Sequence, residues 1–295
     1  MMLKTFNNDL SVNDSYLNDL DYKIKDKWYE NEQLVIEQDG YFFAYGDADV
    51  RLLGSIFVAF NEISQDKERY IFIYPVQDVS EEVIKHTIHQ LTKDRLHTYI
   101  EIFAGDSSKL KELKPPLEEL GYPFLMACID KKLTDSQQNK EYTDDFNFRL
   151  ANENDIPDIM NCLRKAYIEG ADIQGITYDQ EELYENIEKI YTPLLTSQRV
   201  VFICEDRNRN FCGHATFEIE ESAANLVDMY IEEPYQNRGL ARLLSKYSEH
   251  ELSRRNIDQM TATLISKDGV DQLLRSFSQT GWSLYSFVYQ SKQSD

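Results

Sequence analysis

The stretch Leu226–Leu244, LVDMYIEEPYQNRGLARLL, decides the fold. It opens as a strand through Ile231, passes a turn that contains Pro234, and enters a long amphipathic helix over 239–255. A strand that turns sharply into a helix presents the first N–H groups of that helix, which have no partner within it, together with the positive end of its dipole. Such a terminus seats an anion such as a pyrophosphate. Gly239 lets a ligand approach the backbone with no Cβ in the way, and small Ala241 keeps the first turn uncrowded. Arg238 and Arg242 add positive charge at the same place.

That charge stands out in an acidic chain. Lys and Arg number 31 against 52 Asp and Glu, a net charge of −21 in 295 residues. Such a chain repels a phosphate backbone unless it carries a concentrated basic face, and the sequence has none, so nucleic acid is an unsuitable partner. A cationic amine is compatible with it. Hydrophobic residues at 42% and charged residues at 28% describe globular rather than disordered composition. The amino terminus is rich in Asn and Asp and lacks an apolar signal core. The densest apolar run, Ile56–Phe60, falls far short of the roughly 20 residues that span a bilayer. Cys128, Cys162, Cys204 and Cys212 form no CxxC pair and sit among apolar neighbours, as buried thiols of a reducing compartment do. The expectation is a cytoplasmic protein with no membrane contact.

The sequence also repeats itself. Gly54 and Gly213 stand 159 residues apart, as do Asp47 and Asp206, Pro75 and Pro234, and Gln77 and Gln236. Gly121 and Gly281 stand 160 apart. A constant offset across half the chain marks a duplicated fold. Between the copies, TDSQQNKEYTDD (Thr134–Asp145) is polar and makes a natural linker. The expected division is therefore a first domain over 1–134, a linker over 135–145 and a second domain over 146–295. In the second copy, periodicity gives the order β-α-α-β-β-β-α-β-α-β. The fold class is α/β (α+β), with two tandem domains that each carry a mixed, mostly antiparallel sheet flanked by helices.

The segment Gln236-Asn237-Arg238-Gly239-Leu240-Ala241 resembles the acetyl-CoA motif Gln/Arg-x-x-Gly-x-Gly/Ala of the GCN5-related N-acetyltransferase (GNAT) superfamily. The resemblance extends over roughly 146–292, and the first copy repeats it, so the chain looks like a tandem GNAT protein. It implies a splayed sheet with a bulged strand. Backbone groups of Met229, Tyr230 and Ile231 would pair with pantetheine, and the loop from Gln236 through Asn237, Arg238, Gly239, Leu240, Ala241 and Arg242 would hold the pyrophosphate. It further implies transfer of an acetyl group from acetyl-CoA, as cosubstrate and with no metal, to a primary amine, with a small molecule as acceptor. The family commonly carries an acidic residue just before the bulge, and Asp228 stands there as the base; a solvated or salt-bridged strand carboxylate is the equal alternative. Many members also carry a Tyr four residues before the late glycine as acid. Here Phe277 holds that place, which leaves Tyr285, Tyr289 or solvent to replace it.

Under the 159 offset, Ser80 falls at the place of Gly239 and Glu82 at that of Ala241. A carboxylate there suits a helix start but repels a pyrophosphate. The first copy reads as degenerate, left to cover an apolar surface, shape the amine pocket or carry a homodimer contact. His86 and His89 share a helix face with no third metal ligand at useful spacing, and His214 reads as a packed strand histidine. Glu169, Asp172 and Asp179 lie where an acceptor amine would enter, either attracting it or forming a solvated loop. Two other functions stay open: a non-catalytic acyl-CoA-binding or regulatory protein, motivated by Phe277, and an aminoacyl or longer-acyl transferase.

Overall fold

The computed structural model describes residues 2–7, 17, 20, 22–46, 50–61, 66–75, 79–94, 96–103, 108–133, 145–174, 178–265 and 270–291. Contacts divide the chain into two compact units, residues 1–129 with 269–295 (unit 1) and residues 130–268 (unit 2). The first half runs β1 (Met2–Asn7), α1 (Tyr22–Glu37), β2 (Tyr41–Gly46), β3 (Val50–Asn61), β4 (Asp66–Pro75), α2 (Glu81–Leu91), β5 (His97–Phe103), α3 (Ser108–Glu119) and β6 (Phe124–Lys132). The second half runs β7 (Phe146–Leu150), α4 (Ile156–Gln174), α5 (Gln180–Tyr191), β8 (Arg199–Asp206), β9 (Phe211–Glu220) and β10 (Ala223–Ile231). It ends with α6 (Leu240–Ser253), β11 (Gln259–Leu264), α7 (Asp271–Ser278) and β12 (Ser283–Gln290). The element order expected for the second copy is present without a gap.

The strand order is β1-β2-β3-β4-β5-β12-β6 in unit 1 and β11-β10-β9-β8-β7 in unit 2. In unit 1 the β4–β5 pair is parallel, while β1 through β4 and β5–β12 are antiparallel. In unit 2 the β10–β11 pair is parallel, while β9–β10, β8–β9 and β7–β8 are antiparallel. The class is thus the mixed, mostly antiparallel sheet with flanking helices that the sequence implies.

The division of the chain departs from the sequence expectation. Residues 146–295 read as one domain, yet 269–295 cluster with unit 1. The cause is β12, which pairs with β5 from Ser286↔Phe103 to Gln290↔Tyr99. Phe287 and Tyr289 are fully buried there, each edge-on to Phe124. Such a strand covers a sheet edge that would otherwise stay open. The division also falls within β6 rather than at 135–145; of that expected linker, residues 135–144 lie outside the described residues.

The repeat has a physical basis in close strand approach. A Cβ on Gly54 would meet Phe72 O at 2.6 Å, and one on Gly213 would meet Tyr230 O at 2.3 Å. Glycine is required at both places because the neighbouring strand leaves no room.

Unit 2 is built in three layers. Ile159 and Leu163 of α4, with Ile187 and Tyr191 of α5, pack against Val201 and Ile203. On the opposite face, Tyr247 of α6 meets Phe202 edge-on, and Phe202 meets Phe217. Six consecutive buried residues on β8 and on β9 follow from covering both faces. Each fully buried apolar side chain there contributes about 1.5–3 kcal/mol of transfer free energy. All four cysteines are free and buried. Among the described residues, no helix is long and apolar enough to cross a membrane.

Candidate active site

Two irregularities of β10 create the site. Against β9, the register shifts between Leu226, opposite Phe217, and Asp228, opposite Thr216, so Val227 is the extra residue of a bulge. Against β11, the parallel ladder runs only from Ala223↔Gln259 to Leu226↔Ala262. β10 continues to Ile231 and β11 to Leu264, so the two strands part beyond the bulge. Backbone groups of Met229, Tyr230 and Ile231 on that edge lie outside the β11 ladder. The bulge thus precedes Asp228, correcting the expected order, in which the acidic residue comes just before it.

A short loop carries β10 into α6. Gln236 braces it, its Nε2 donating to Ile231 O at 2.9 Å, so this residue ties the loop to the strand end. Asn237 (φ 60°) and Gly239 (φ 74°, ψ 11°) are both left-handed, and Gly239 is the N-cap of α6. Asn tolerates that conformation and glycine adopts it freely. A Cβ built on Gly239 meets nothing within 4 Å, so the space before it is open. The first ladder bond of the helix is Leu243 N–H to Gly239 O, and the N–H groups of Asn237 through Ala241 donate to no backbone carbonyl among the described residues. Leu240 is buried and anchors the turn, while Asn237, Arg238, Ala241 and Arg242 are exposed. The Arg238 guanidinium lies 5.7 Å from the Tyr235 ring centroid. This is an exposed, positively charged helix start with unspent donors, suited to an anion.

Beneath α4 and α5 lies a polar cluster that sequence reasoning missed. Ile203 opposes His214 and Val201 opposes Thr216, which puts His214, Thr216, Asp228 and Tyr230 on the face that those helices cover. His214 is fully buried, with Nε2 3.2 Å from Asp228 Oδ2. That distance is within reach of a hydrogen bond, but the alignment is not, and both atoms are buried without another partner. Glu232, just past β10, accepts from Lys165 Nζ at 2.9 Å on both oxygens and from Cys162 Sγ at 3.3 Å. Burial pushes the Glu232 carboxyl up, but the Lys165 and Cys162 hydrogen bonds outweigh it and hold the group below its usual range. The Tyr167 and Tyr191 hydroxyls lie 2.9 Å apart. Burial first, and the Asp228 charge further down, raise both phenols, so both stay protonated at neutral pH. Burial likewise raises the Cys162 thiol, which leaves no thiolate nucleophile. The residues Cys162 and Lys165 share a face of α4 at helical spacing, a weak signal that an alignment of faces could have used.

Other expected residues go elsewhere. Tyr285 packs against the core of unit 1 with Leu125, Cys128 and Val288 and lies beneath the Lys27 ammonium, 5.1 Å from its ring centroid. Tyr289 is buried in the same unit, and Phe277 meets Trp282 edge-on there. These tyrosines therefore belong to the β5–β12 packing of unit 1. Asp179 is the N-cap of α5, accepting from Glu181 and Glu182 N–H, and Asp172 accepts from Tyr178. Glu169 lies near enough to Tyr230 to raise its phenol, behind burial as the main cause. His86 meets Tyr45 edge-on. No cluster of three metal-ligating side chains occurs among the described residues.

The same position in unit 1 is closed. The β3–β4 ladder runs from Leu52↔Pro75 to Asn61↔Asp66 with no bulge. The parallel β4–β5 ladder runs through Ile73↔Ile102, two residues from the end of β4. Where unit 2 has Thr216 opposite Asp228, unit 1 has Phe57 opposite Tyr70, stacked at 5.0 Å. Ser80 is the N-cap of α2, as Gly239 is of α6, so the 159 offset holds at the helix start. Glu81 and Glu82 occupy its first turn.

Comparison with solved structures finds a GCN5-related N-acetyltransferase from Sphaerobacter thermophilus with a TM-score of 0.51 and 13% identity, over 90% of this chain and 84% of that one. A GCN5-related N-acetyltransferase from Kribbella flavida matches with a TM-score of 0.47 and 9% identity, over 85% and 90%. A tandem GNAT protein from the clavulanic acid biosynthesis pathway matches with 0.44 and 8%, over the full length of both chains. No family model and no curated protein matches the sequence. The fold is that of the GCN5-related N-acetyltransferases, and the order β-β-β-α-β-α-β occurs in both halves, from β2 to β6 and from β8 to β12.

Proposed function

We propose that this protein is an acetyl-CoA-dependent N-acetyltransferase that modifies a primary amine of a small molecule, with its chemistry in unit 2. One observation carries the reading: β10 parts from β11 beside a left-handed Gly239 and a run of unbonded N–H groups, whereas the matching β4–β5 ladder of unit 1 holds through Ile73↔Ile102. The free edge of Met229–Ile231 suits an extended chain of amide groups, as a sheet edge receives an added strand. Asn237 through Arg242 suit a diphosphate. Acetyl-CoA supplies the activated acetyl group; a C–N bond forms as the C–S bond breaks. Asp228, at 14% side-chain exposure, accepts the proton that the amine gives up. Unit 1, whose β3–β4 ladder has no bulge and whose matching helix start carries Glu81 and Glu82, serves as a scaffold.

The test is calorimetry with acetyl-CoA followed by release of free CoA across a panel of primary amines. Binding with amine-dependent release supports the proposal. Binding without release across the panel favours the acyl-CoA-binding alternative, and absence of binding at millimolar ligand refutes both.

A further inference from the structure

His214 is the feature of unit 2 that acetyl-CoA binding leaves unexplained. It is fully buried, in the middle of a strand, and of its two ring nitrogens only Nδ1 has an aligned partner, Thr216 Oγ1 at 3.0 Å. Nε2 and Asp228 Oδ2 face each other at 3.2 Å, each buried and each without any other partner. Two unsatisfied atoms of matching chemistry at that distance are the two halves of one hydrogen bond. A Thr hydroxyl can donate to Nδ1, which leaves the ring proton on Nε2. We propose that His214 is a positioning residue: Thr216 sets its tautomer, its Nε2–H fixes one oxygen of Asp228, and the other oxygen is left to take the proton of the acceptor amine. The inference rests on the acetyltransferase reading for the amine, though not for the hydrogen bond.

The surroundings favour this assignment. Apolar Ile203 and Val201 oppose His214 and Thr216 on β8. From α4 the groups nearby are Cys162, Lys165 and Tyr167; from α5, Tyr191; from β10 and its end, Tyr230 and Glu232. Lys165 is engaged by Glu232, and Tyr167 by Tyr191. Neither pair is aligned on the Asp228–His214 contact, so the imidazole is the ring-borne donor at hand. Unit 1 has Ser55 opposite Phe72 and Phe57 opposite Tyr70 at the matching ladder positions, so the polar pair accompanies the open site.

The experiment has two readouts. Long-range proton–nitrogen NMR of the whole labelled chain reports the His214 tautomer without any turnover. The expected spectrum shows Nε2 protonated and Nδ1 bare, and Thr216→Val shifts the ring toward the other form. A wild-type ring protonated on Nδ1 overturns the proposal. The second readout is the kinetics of CoA release with the best amine of the panel, split into kcat and KM. His214→Ala is expected to lower kcat at least about tenfold with acetyl-CoA affinity within about twofold, because a charge-assisted hydrogen bond no longer fixes the carboxylate. His214→Gln, which keeps a donor, restores most of the rate and serves where the alanine variant fails to fold. A kcat unchanged in His214→Ala refutes the role. A wild-type protein that gives no heat with acetyl-CoA refutes the acetyltransferase reading instead, and the tautomer still decides the hydrogen bond.

Discussion

Substituting Gly239 separates the cost to the fold from the cost to the ligand. The residue sits at φ 74°, ψ 11°, a conformation that costs a side chain with a Cβ about 1–2 kcal/mol. No neighbouring atom lies within 4 Å of the added Cβ, so no clash is added to that strain. Gly239→Ala is therefore expected to lower Tm by about 2–8 °C, and Gly239→Asn by less, since Asn tolerates left-handed backbone. Gly239→Glu carries the same strain and sets a carboxylate where the diphosphate would lie. At about 4 Å and an effective dielectric near 20, that repulsion reaches ~4 kcal/mol per unit charge. Exposure of the loop and salt reduce it, and a loss of at least about tenfold in acetyl-CoA affinity, ~1.4 kcal/mol, remains. Calorimetry with acetyl-CoA and thermal denaturation on the three variants measure the two effects separately. Glu82→Ala, at the matching turn of unit 1, should leave the affinity within about twofold. If Gly239→Glu and Glu82→Ala weaken binding equally, or if the former lowers Tm with unchanged affinity, the seat is not at this helix start.

Three further outcomes follow from the packing and the charges. Asp228→Asn should lower the rate of CoA release about 10²–10⁴-fold, the usual worth of a general base, with acetyl-CoA affinity within about twofold; a rate within threefold of wild type would remove Asp228 from the chemistry. Burial raises the Glu101 carboxyl of β5, against the Ser286 hydrogen bond and the Lys27 charge that lower it. Its protonated form is thus favoured in the folded state, and the contribution is full below the unfolded value and lost as pH rises through the folded one. Urea unfolding between pH 4 and 8 should show Glu101→Gln losing less stability with rising pH than wild type, and parallel curves would refute this. Phe287→Ala should destabilise unit 1 by about 3–5 kcal/mol, read as lost amide protection on β5, because Phe287 is fully buried and packs on Phe124; protection unchanged on β5 would deny the β12 packing its role.

The parts of the molecule legible in the sequence are those that local pattern controls. The helix start at 239 shows because a glycine after a strand and turn has few other uses, and the duplication shows because Gly54 and Gly213 are demanded by contact with a neighbouring carbonyl. The pairing of β12 with β5 left no mark of its own: Ser283–Gln290 reads as a strand whichever sheet receives it. The meeting of His214 and Asp228 was hidden for a related reason. Strand side chains alternate faces, so one residue of register decides which face a group occupies. Leu226 opposes Phe217; had that register continued, Asp228 would oppose Ala215 and point to the face covered by α6. The extra residue, Val227, moves Asp228 opposite Thr216, onto the face of His214 and α4. Val227 is one apolar residue within an apolar strand, and nothing in its identity marks the insertion. The bulge that parts β10 from its ladder register thus also turns Asp228 toward its histidine, and unit 1, whose ladder runs unbroken, has stacked aromatic rings at the same level.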